Sequence, residues 1–148
     1  MTVITAQDNT SNDFVNWTIT VPKLFRKWSR RRAIKSQIRF VVKNTSEEFI
    51  QIKLELWSRT KLLIFRSITK RRVGKNRIKE TTEALSEVIE RGIESRSETI
   101  FTFPFHYRPQ LPLQRTSNLM LGYMITGIGR EGMVVFRSGP HDLTIPIE

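Results

Sequence analysis

Apolar and polar residues alternate through the first half of the chain. Residues 15–21 place Val, Trp, Ile and Val at every second position with polar residues between them, which is the period of a half-buried strand. The same period recurs over residues 38–43 and 50–56, and the polar run between these two predicted strands favours a hairpin. A further apolar run at 62–68 predicts another strand.

The period changes between residues 76 and 95. Leu85, Ile89 and Ile93 recur at helical spacing, and five glutamates three or four residues apart fall on the opposite side of a helix drawn at about 100° per residue. Asn76 is a suitable N-cap for it. The pattern therefore predicts an amphipathic helix over about residues 76–95.

Strands resume in the last third of the chain. Phe101, Phe103, Phe105 and Tyr107 form an aromatic stripe at every second position, for which core packing is favoured over a role as an RNA-stacking platform. Three more strands are predicted before the end of the chain. The fold class is thus mainly β (α+β): an antiparallel β-sandwich of about eight strands with one amphipathic helix. Residues 1–13 are polar and aperiodic and predict a mobile arm, leaving 14–148 as a single domain.

Charge is the most informative bulk property, since the 148 residues carry a net charge of +11. So basic a domain is attracted to nucleic acid or to anionic lipid. The sequence shows no signal peptide, and its longest apolar run, residues 119–128, is about half the ~20 residues that span a bilayer. We therefore expect an intracellular protein, cytoplasmic or membrane-peripheral.

Two basic segments are the candidate polyanion-binding sites. The first surrounds an aromatic residue that could stack on a base or insert at a lipid interface, and the second could also serve as a nuclear import signal. The candidate residues are Lys23, Arg26, Lys27, Trp28, Arg30, Arg31, Arg32 and Lys35 in the first segment, and Lys70, Arg71, Arg72 and Lys75 in the second.

Nothing in the sequence indicates an enzyme. The glycine motif at 127–132 is followed by a predicted strand rather than a helix, which favours a hairpin turn over a nucleotide loop. His106, His141 and Asp142 have no third ligand or nucleophile at a suitable spacing. The chain has no cysteine. We expect no cofactor, no metal and no small-molecule substrate.

Three glutamates of the predicted helix, Glu87, Glu90 and Glu94, are candidates for a contact between subunits. On a helix they would form an acidic stripe that a neighbouring copy's basic surface could neutralise, which would give a homo-oligomer.

In overall plan the chain resembles the small matrix proteins of nonsegmented negative-strand RNA viruses. The features that carry the resemblance are the basic–aromatic segment 23–32, the strands over 38–56 and the basic loop 70–79. The resemblance implies self-assembly beneath a membrane, with basic surfaces touching lipid headgroups and the viral nucleoprotein–RNA core.

Two other functional classes remain open. One is a single-stranded RNA binder, such as a viral movement protein or a silencing suppressor. The other is an arrestin-like β-sandwich for protein interaction, suggested by the C-terminal run 101–148.

Overall fold

The structure is a computed structural model. It describes the backbone of residues 4–24, 34–59, 63–71, 79–107 and 118–147, and the side chains of 10–24, 35–59, 64–65, 84–106 and 118–147. Every regular element in these ranges is a strand. The strands are β1 (Ile4–Ser11), β2 (Val15–Pro22), β3 (Ile34–Asn44), β4 (Ile50–Ser58), β5 (Leu63–Ile64), β6 (Arg66–Arg71), β7 (Lys79–Ala84), β8 (Ser86–Ile93), β9 (Glu98–Tyr107), β10 (Asn118–Ile128) and β11 (Val134–Pro146).

Nine of these strands form two antiparallel sheets, which confirms the predicted mainly β class. One sheet has the order β1-β2-β3-β9-β5 and the other the order β11-β10-β4-β8. The remaining two, β6 and β7, pair as a two-stranded hairpin. Its base is tied to the four-stranded sheet, because the Ser58 amide donates to the Leu85 carbonyl at 2.7 Å.

The core lies between the two sheets and follows the alternation in the sequence. β4 buries every second residue from Ile50 to Leu56, and the aromatic stripe Phe101, Phe103 and Phe105 is fully buried, as core packing requires. Trp17 and Tyr123 meet at the centre, where the indole N–H donates to the phenolic oxygen at 3.2 Å. Since Trp17 is 1% exposed, this bond satisfies a donor that water does not reach.

The turn between β3 and β4 crosses from one sheet to the other, so the predicted hairpin of these two strands is wrong. Asn44, fully buried, directs the crossover. Its amide group donates to the carbonyls of Glu48 (2.7 Å) and Ile93 (3.0 Å), and its side-chain oxygen accepts from the amide and hydroxyl of Ser46. The backbone groups that a hairpin would pair are satisfied by other strands, because β3 lies between β2 and β9 and β4 lies between β10 and β8.

The amphipathic helix predicted over 76–95 is also wrong. Residues 79–84 form β7 and residues 86–93 form β8, which pairs with β4 from Ile50↔Ile93 to Trp57↔Ser86. A spacing of four residues, as between Ile89 and Ile93, repeats on one face of a strand as well as on one face of a helix. The open edge of β4 decides between the two, because β8 satisfies the backbone groups along that edge.

The N-terminal segment also forms a strand. β1 occupies most of the segment 1–13, for which the sequence predicts a mobile arm, and it pairs with β2 from Ile4↔Pro22 to Ser11↔Asn16.

Candidate polyanion-binding surface

The outer face of the five-stranded sheet carries a line of basic side chains on its central strand. Because β3 buries Ile38, Phe40 and Val42, its odd-numbered residues face outward, among them Lys35, Arg39 and Lys43. Successive members of this line are four residues apart, which is about 13 Å along a strand.

Polar residues of the neighbouring strands flank this line. Arg39 lies between Thr20 of β2 and Thr102 of β9, and Lys43 lies between Asn16 and Glu98. Of the residues whose side chains are described on this face, Glu98 is the one acid, and it lies at one end. The other cations of the line are therefore not neutralised by a neighbour across the sheet.

Arg39 is the member of this line with an unsatisfied donor. Its Nε atom is buried and has no hydrogen-bond partner within the described part of the chain, although the residue as a whole is half-buried. A buried donor without a partner costs about 1–3 kcal/mol. We define the basic face as Lys35, Arg39 and Lys43.

The basic face continues into one end of the sandwich. The strands that adjoin the basic segments of the sequence terminate at this same end. Leu24 bridges to Ile147, Ile34 pairs with Tyr107, and the Arg59 amide donates to the Met120 carbonyl. Eighteen of the 25 basic residues lie in the segments 23–35, 59–79 and 108–117, which contain no acidic residue. The described strand ends that adjoin these segments lie together, and we call this end of the sandwich the basic end.

The structure places four of the predicted polyanion-binding residues. Lys35 is exposed on the basic face, and Lys23 is half-buried just after β2. Lys70 and Arg71 end β6, in register with Glu80 and Lys79 of β7. The other predicted binding residues lie outside the described residues: Arg26, Lys27, Trp28, Arg30, Arg31, Arg32, Arg72 and Lys75.

Sequence reasoning missed Arg39 and Lys43 as candidates. The information that could have identified them is their position, since both lie an even number of residues from Lys35 in a segment with strand period. Strand alternation alone puts the three on one face.

The opposite end of the sandwich is acidic. The turns before β2, β4, β9 and β11 meet there: the Thr45 amide donates to the Phe14 carbonyl, and the Asn44 amide donates to the Ser97 carbonyl. Six carboxylates and three cationic groups, all of them exposed, lie in or beside these turns. They are Asp13, Glu47, Glu48, Glu94, Glu98 and Glu131, with Lys43, Arg96 and Arg130.

The predicted acidic stripe does not form. On a strand, Glu87 and Glu90 fall on opposite faces: Glu87 is in register with the buried Leu56, whereas Glu90 accepts a hydrogen bond from Gln51 at 3.1 Å on the outer face. Glu94 follows β8 and is exposed at the acidic end. The two-residue period of the strand separates what a helix would have aligned.

The residues with catalytic potential are engaged in structural contacts. His141 Nε2 lies 2.8 Å from the Ser138 hydroxyl and its ring packs against Tyr123, whereas Asp142 forms an ion pair with Arg59 at 2.8 Å on the outer face. His141 and Asp142 therefore point apart, as adjacent strand residues do.

The glycine motif is a hairpin turn, as predicted. Gly129 donates to the carbonyl of Met133 at 2.9 Å, Gly132 has a φ of 78°, and β11 follows.

Among the residues that the structure describes, no group of three or more His, Asp or Glu is placed to hold a metal ion. In the same ranges, no helix has the length and apolar character needed to cross a membrane.

Comparison with known proteins gives distant structural likenesses, among them the two that follow. No family model and no curated protein matches the chain. The chain is similar to target SoR45 of the Northeast Structural Genomics Consortium, with 8% identity and a TM-score of 0.41 over 99% of this chain and 83% of that one. It is also similar to Spo0M, a sporulation control protein from Bacillus subtilis, with 12% identity and a TM-score of 0.46 over 93% of this chain and 50% of that one. This chain thus spans half the length of the Spo0M chain. Both TM-scores are low, and neither likeness indicates an activity or a partner.

Proposed function

We propose that this protein is a binding domain, without catalytic activity, for phosphate-rich anionic surfaces, and that a membrane containing anionic lipid is its first ligand. The observation that supports the proposal is the basic face: three cations in a line on the central strand of a sheet, continuous with an end of the sandwich that adjoins 18 of the 25 basic residues. Phosphate groups would neutralise these cations and relieve the self-repulsion of a chain with a net charge of +11.

The burial of the aromatic stripe favours lipid over single-stranded RNA. Proteins that bind single strands combine cations with exposed aromatic rings on which bases stack. In this chain Phe101, Phe103 and Phe105 are fully buried, so the aromatic stripe cannot serve as that platform. A line of cations on a sheet suits a planar array of headgroups, where each Lys or Arg near the surface contributes about 1 kcal/mol.

Self-association on the membrane is part of the proposal. It is the behaviour that the resemblance to small viral matrix proteins implies, including a contact with a nucleoprotein–RNA core. A viral movement protein or silencing suppressor would use the same cations on RNA, and a comparison of the two ligands separates these functions.

The experiment measures binding to vesicles of phosphatidylcholine and phosphatidylserine (7:3) and to a 20-nucleotide single-stranded RNA, over a salt series. The variant Lys35→Gln/Arg39→Gln/Lys43→Gln removes the basic face. On vesicles we expect a loss of about 3 kcal/mol, or more than 100-fold, at about 1 kcal/mol per residue. If RNA is the ligand, the slope of log affinity against log salt should be lower for this variant than for the wild type by about 2, because each of the three lost phosphate contacts accounts for about 0.7.

The matched control is Lys53→Gln/Arg130→Gln/Arg137→Gln, which removes three cations outside the basic face. A second variant, Arg30→Glu/Arg31→Glu/Arg32→Glu, tests the basic end separately. The proposal requires the control to bind more tightly than the basic-face variant. Equal loss in the two would show that only net charge matters, and binding by the wild type that is unaffected by salt would refute the proposal altogether.

A protein-interaction role is a second candidate, because the outer face of the four-stranded sheet exposes an apolar patch. Val88 and Met120 are 50% and 41% exposed, and both lie on the outer face beside Trp57. An arrestin-like interaction domain would use such a patch to bind a partner protein. A photo-crosslinking residue at position 88 would capture protein in cells if this candidate holds, and one at position 41, on the face of the basic line, would not.

A further inference from the structure

A groove at the acidic end combines exposed apolar side chains with carboxylates. It lies between the turn that follows β3 and the turn that precedes β11, and its volume is about 520 Å³. Met133, Val134 and Val135 line it and are 67%, 52% and 38% exposed. We call it the acidic groove; its lining residues are Glu47, Glu48, Gly129, Arg130, Glu131, Met133, Val134 and Val135.

The chemistry of this lining selects a ligand that is both basic and apolar. Three of the lining residues are glutamates and one is an arginine, so the groove attracts cations in a protein whose net charge is strongly positive. Glu47 already pairs with Arg96, but both side chains are largely exposed, and such pairs exchange easily. The apolar residues reward a ligand that also carries aromatic or aliphatic side chains.

One segment of this chain has that composition. Residues 25–32 read Phe-Arg-Lys-Trp-Ser-Arg-Arg-Arg, with two aromatic residues and five cations. Phe25 and Trp28 match the apolar lining, and the arginines and lysine match the carboxylates. We propose that the acidic groove binds residues 25–32 of a second copy of the chain.

The segment cannot reach the groove of its own molecule. It joins Leu24 to Ile34, both at the basic end, and its ten peptide links span at most about 35 Å, so its tip extends about 17 Å from its anchors. The 11 residues of β3 separate Ile34 from Asn44 by about 33 Å, and the groove lies beyond Asn44. Occupancy therefore requires two molecules.

A contact of this kind is head-to-tail. It uses one end of each copy and leaves the other end free, so it propagates into a ring or a filament. This contact rests on the self-association named in the proposed function and does not depend on the binding of anionic surfaces. On a membrane, the basic face contacts lipid and residues 25–32 occupy the neighbour's groove.

The test combines a peptide with the full-length protein. The peptide covers residues 23–33, is blocked at both ends and carries a fluorophore; binding is followed by anisotropy at low salt. The groove variant is Glu47→Gln/Glu48→Gln/Glu131→Gln, and its control is Glu55→Gln/Glu90→Gln/Asp142→Asn, which changes the net charge by the same amount on another surface. We expect the groove variant to bind the peptide at least fivefold more weakly than the control.

Two further measurements complete the test. A peptide with Phe25→Ser and Trp28→Ser keeps every cation, and it should bind the wild type at least fivefold more weakly; equal affinity overturns the proposal. Sedimentation velocity at low salt should show concentration-dependent association of the wild type and of the control, but not of the groove variant. A wild type that stays monomeric at about 0.1 mM, or equal association of both variants, also overturns it. Vesicle binding by the groove variant should be retained, which separates failure here from failure of the proposed function.

Discussion

Replacing Asn44 with alanine should destabilise the protein more than any other single polar truncation at the acidic end. Asn44 is fully buried and forms four hydrogen bonds, donating to the carbonyls of Glu48 and Ile93 and accepting twice from Ser46. It thereby joins the end of β3 to the turn before β4 and to the end of β8, so the two sheets share this one side chain.

The magnitude follows from those bonds. Each contributes about 0.5–1.5 kcal/mol net, and the two carbonyls lose a donor in a region with little access to water. Because the half-buried Ser46 can bond to water instead, we expect a loss of about 3 kcal/mol in the free energy of unfolding. For a domain of this size that corresponds to a fall in Tm of about 6–12 °C.

The assay is urea and thermal unfolding followed by circular dichroism, with Asn16→Ala as the control. Asn16 is exposed on β2, and its truncation should cost less than about 0.5 kcal/mol. Asn44→Asp keeps the size of the side chain, but an ionised carboxylate cannot donate to the two carbonyls, so it should destabilise at least as much as alanine. If Asn44→Ala costs no more than Asn16→Ala, the turn is stabilised by other contacts and the reasoning is refuted.

Three other substitutions test the fold. Leu85→Asp should cost less than about 1 kcal/mol because Leu85 is 45% exposed, whereas Ile93→Asp, at a position 1% exposed, should unfold the domain in the same unfolding assay. A helix would bury both residues on one stripe, so unfolding by both substitutions would favour the helix over β8. Tyr123→Phe removes the acceptor of the Trp17 indole N–H, so the free energy of unfolding measured in urea should fall by about 1–3 kcal/mol. An unchanged value would mean that water takes the place of the phenolic oxygen. Gly132→Ala places a side chain at a φ of 78° where no atom obstructs it, so the expected loss is the backbone strain alone, about 1–2 kcal/mol by thermal unfolding; a stabilised variant would contradict the turn geometry.

The alternation of apolar and polar residues along the chain specifies which side chains face the core. Strict alternation in β2, β3 and β4 specifies the strand period and the buried face together, because successive side chains of a strand point to opposite sides. The same parity specifies that Lys35, Arg39 and Lys43 share a face. The basic face was therefore predictable in principle, and only its last two members were missed.

Tertiary structure decided the points at which local patterns allow two outcomes. Ile89 and Ile93, four residues apart, satisfy both a helix and a strand, and the unpaired edge of β4 selects the strand. The polar turn after β3 suits both a hairpin and a crossover, and the buried bonds of Asn44 to Ile93 and Glu48 select the crossover.

The two charged ends are likewise a product of topology. Glu47, Glu94 and Glu131 are far apart in sequence, and they lie at the same end because four turns meet there. The basic segments adjoin strand ends at the opposite end for the same reason. Local sequence determines which residues are charged and which face of a strand they occupy. The order of the strands in two packed sheets determines which charges become neighbours. Local sequence does not reveal that order, because it depends on long-range strand pairing.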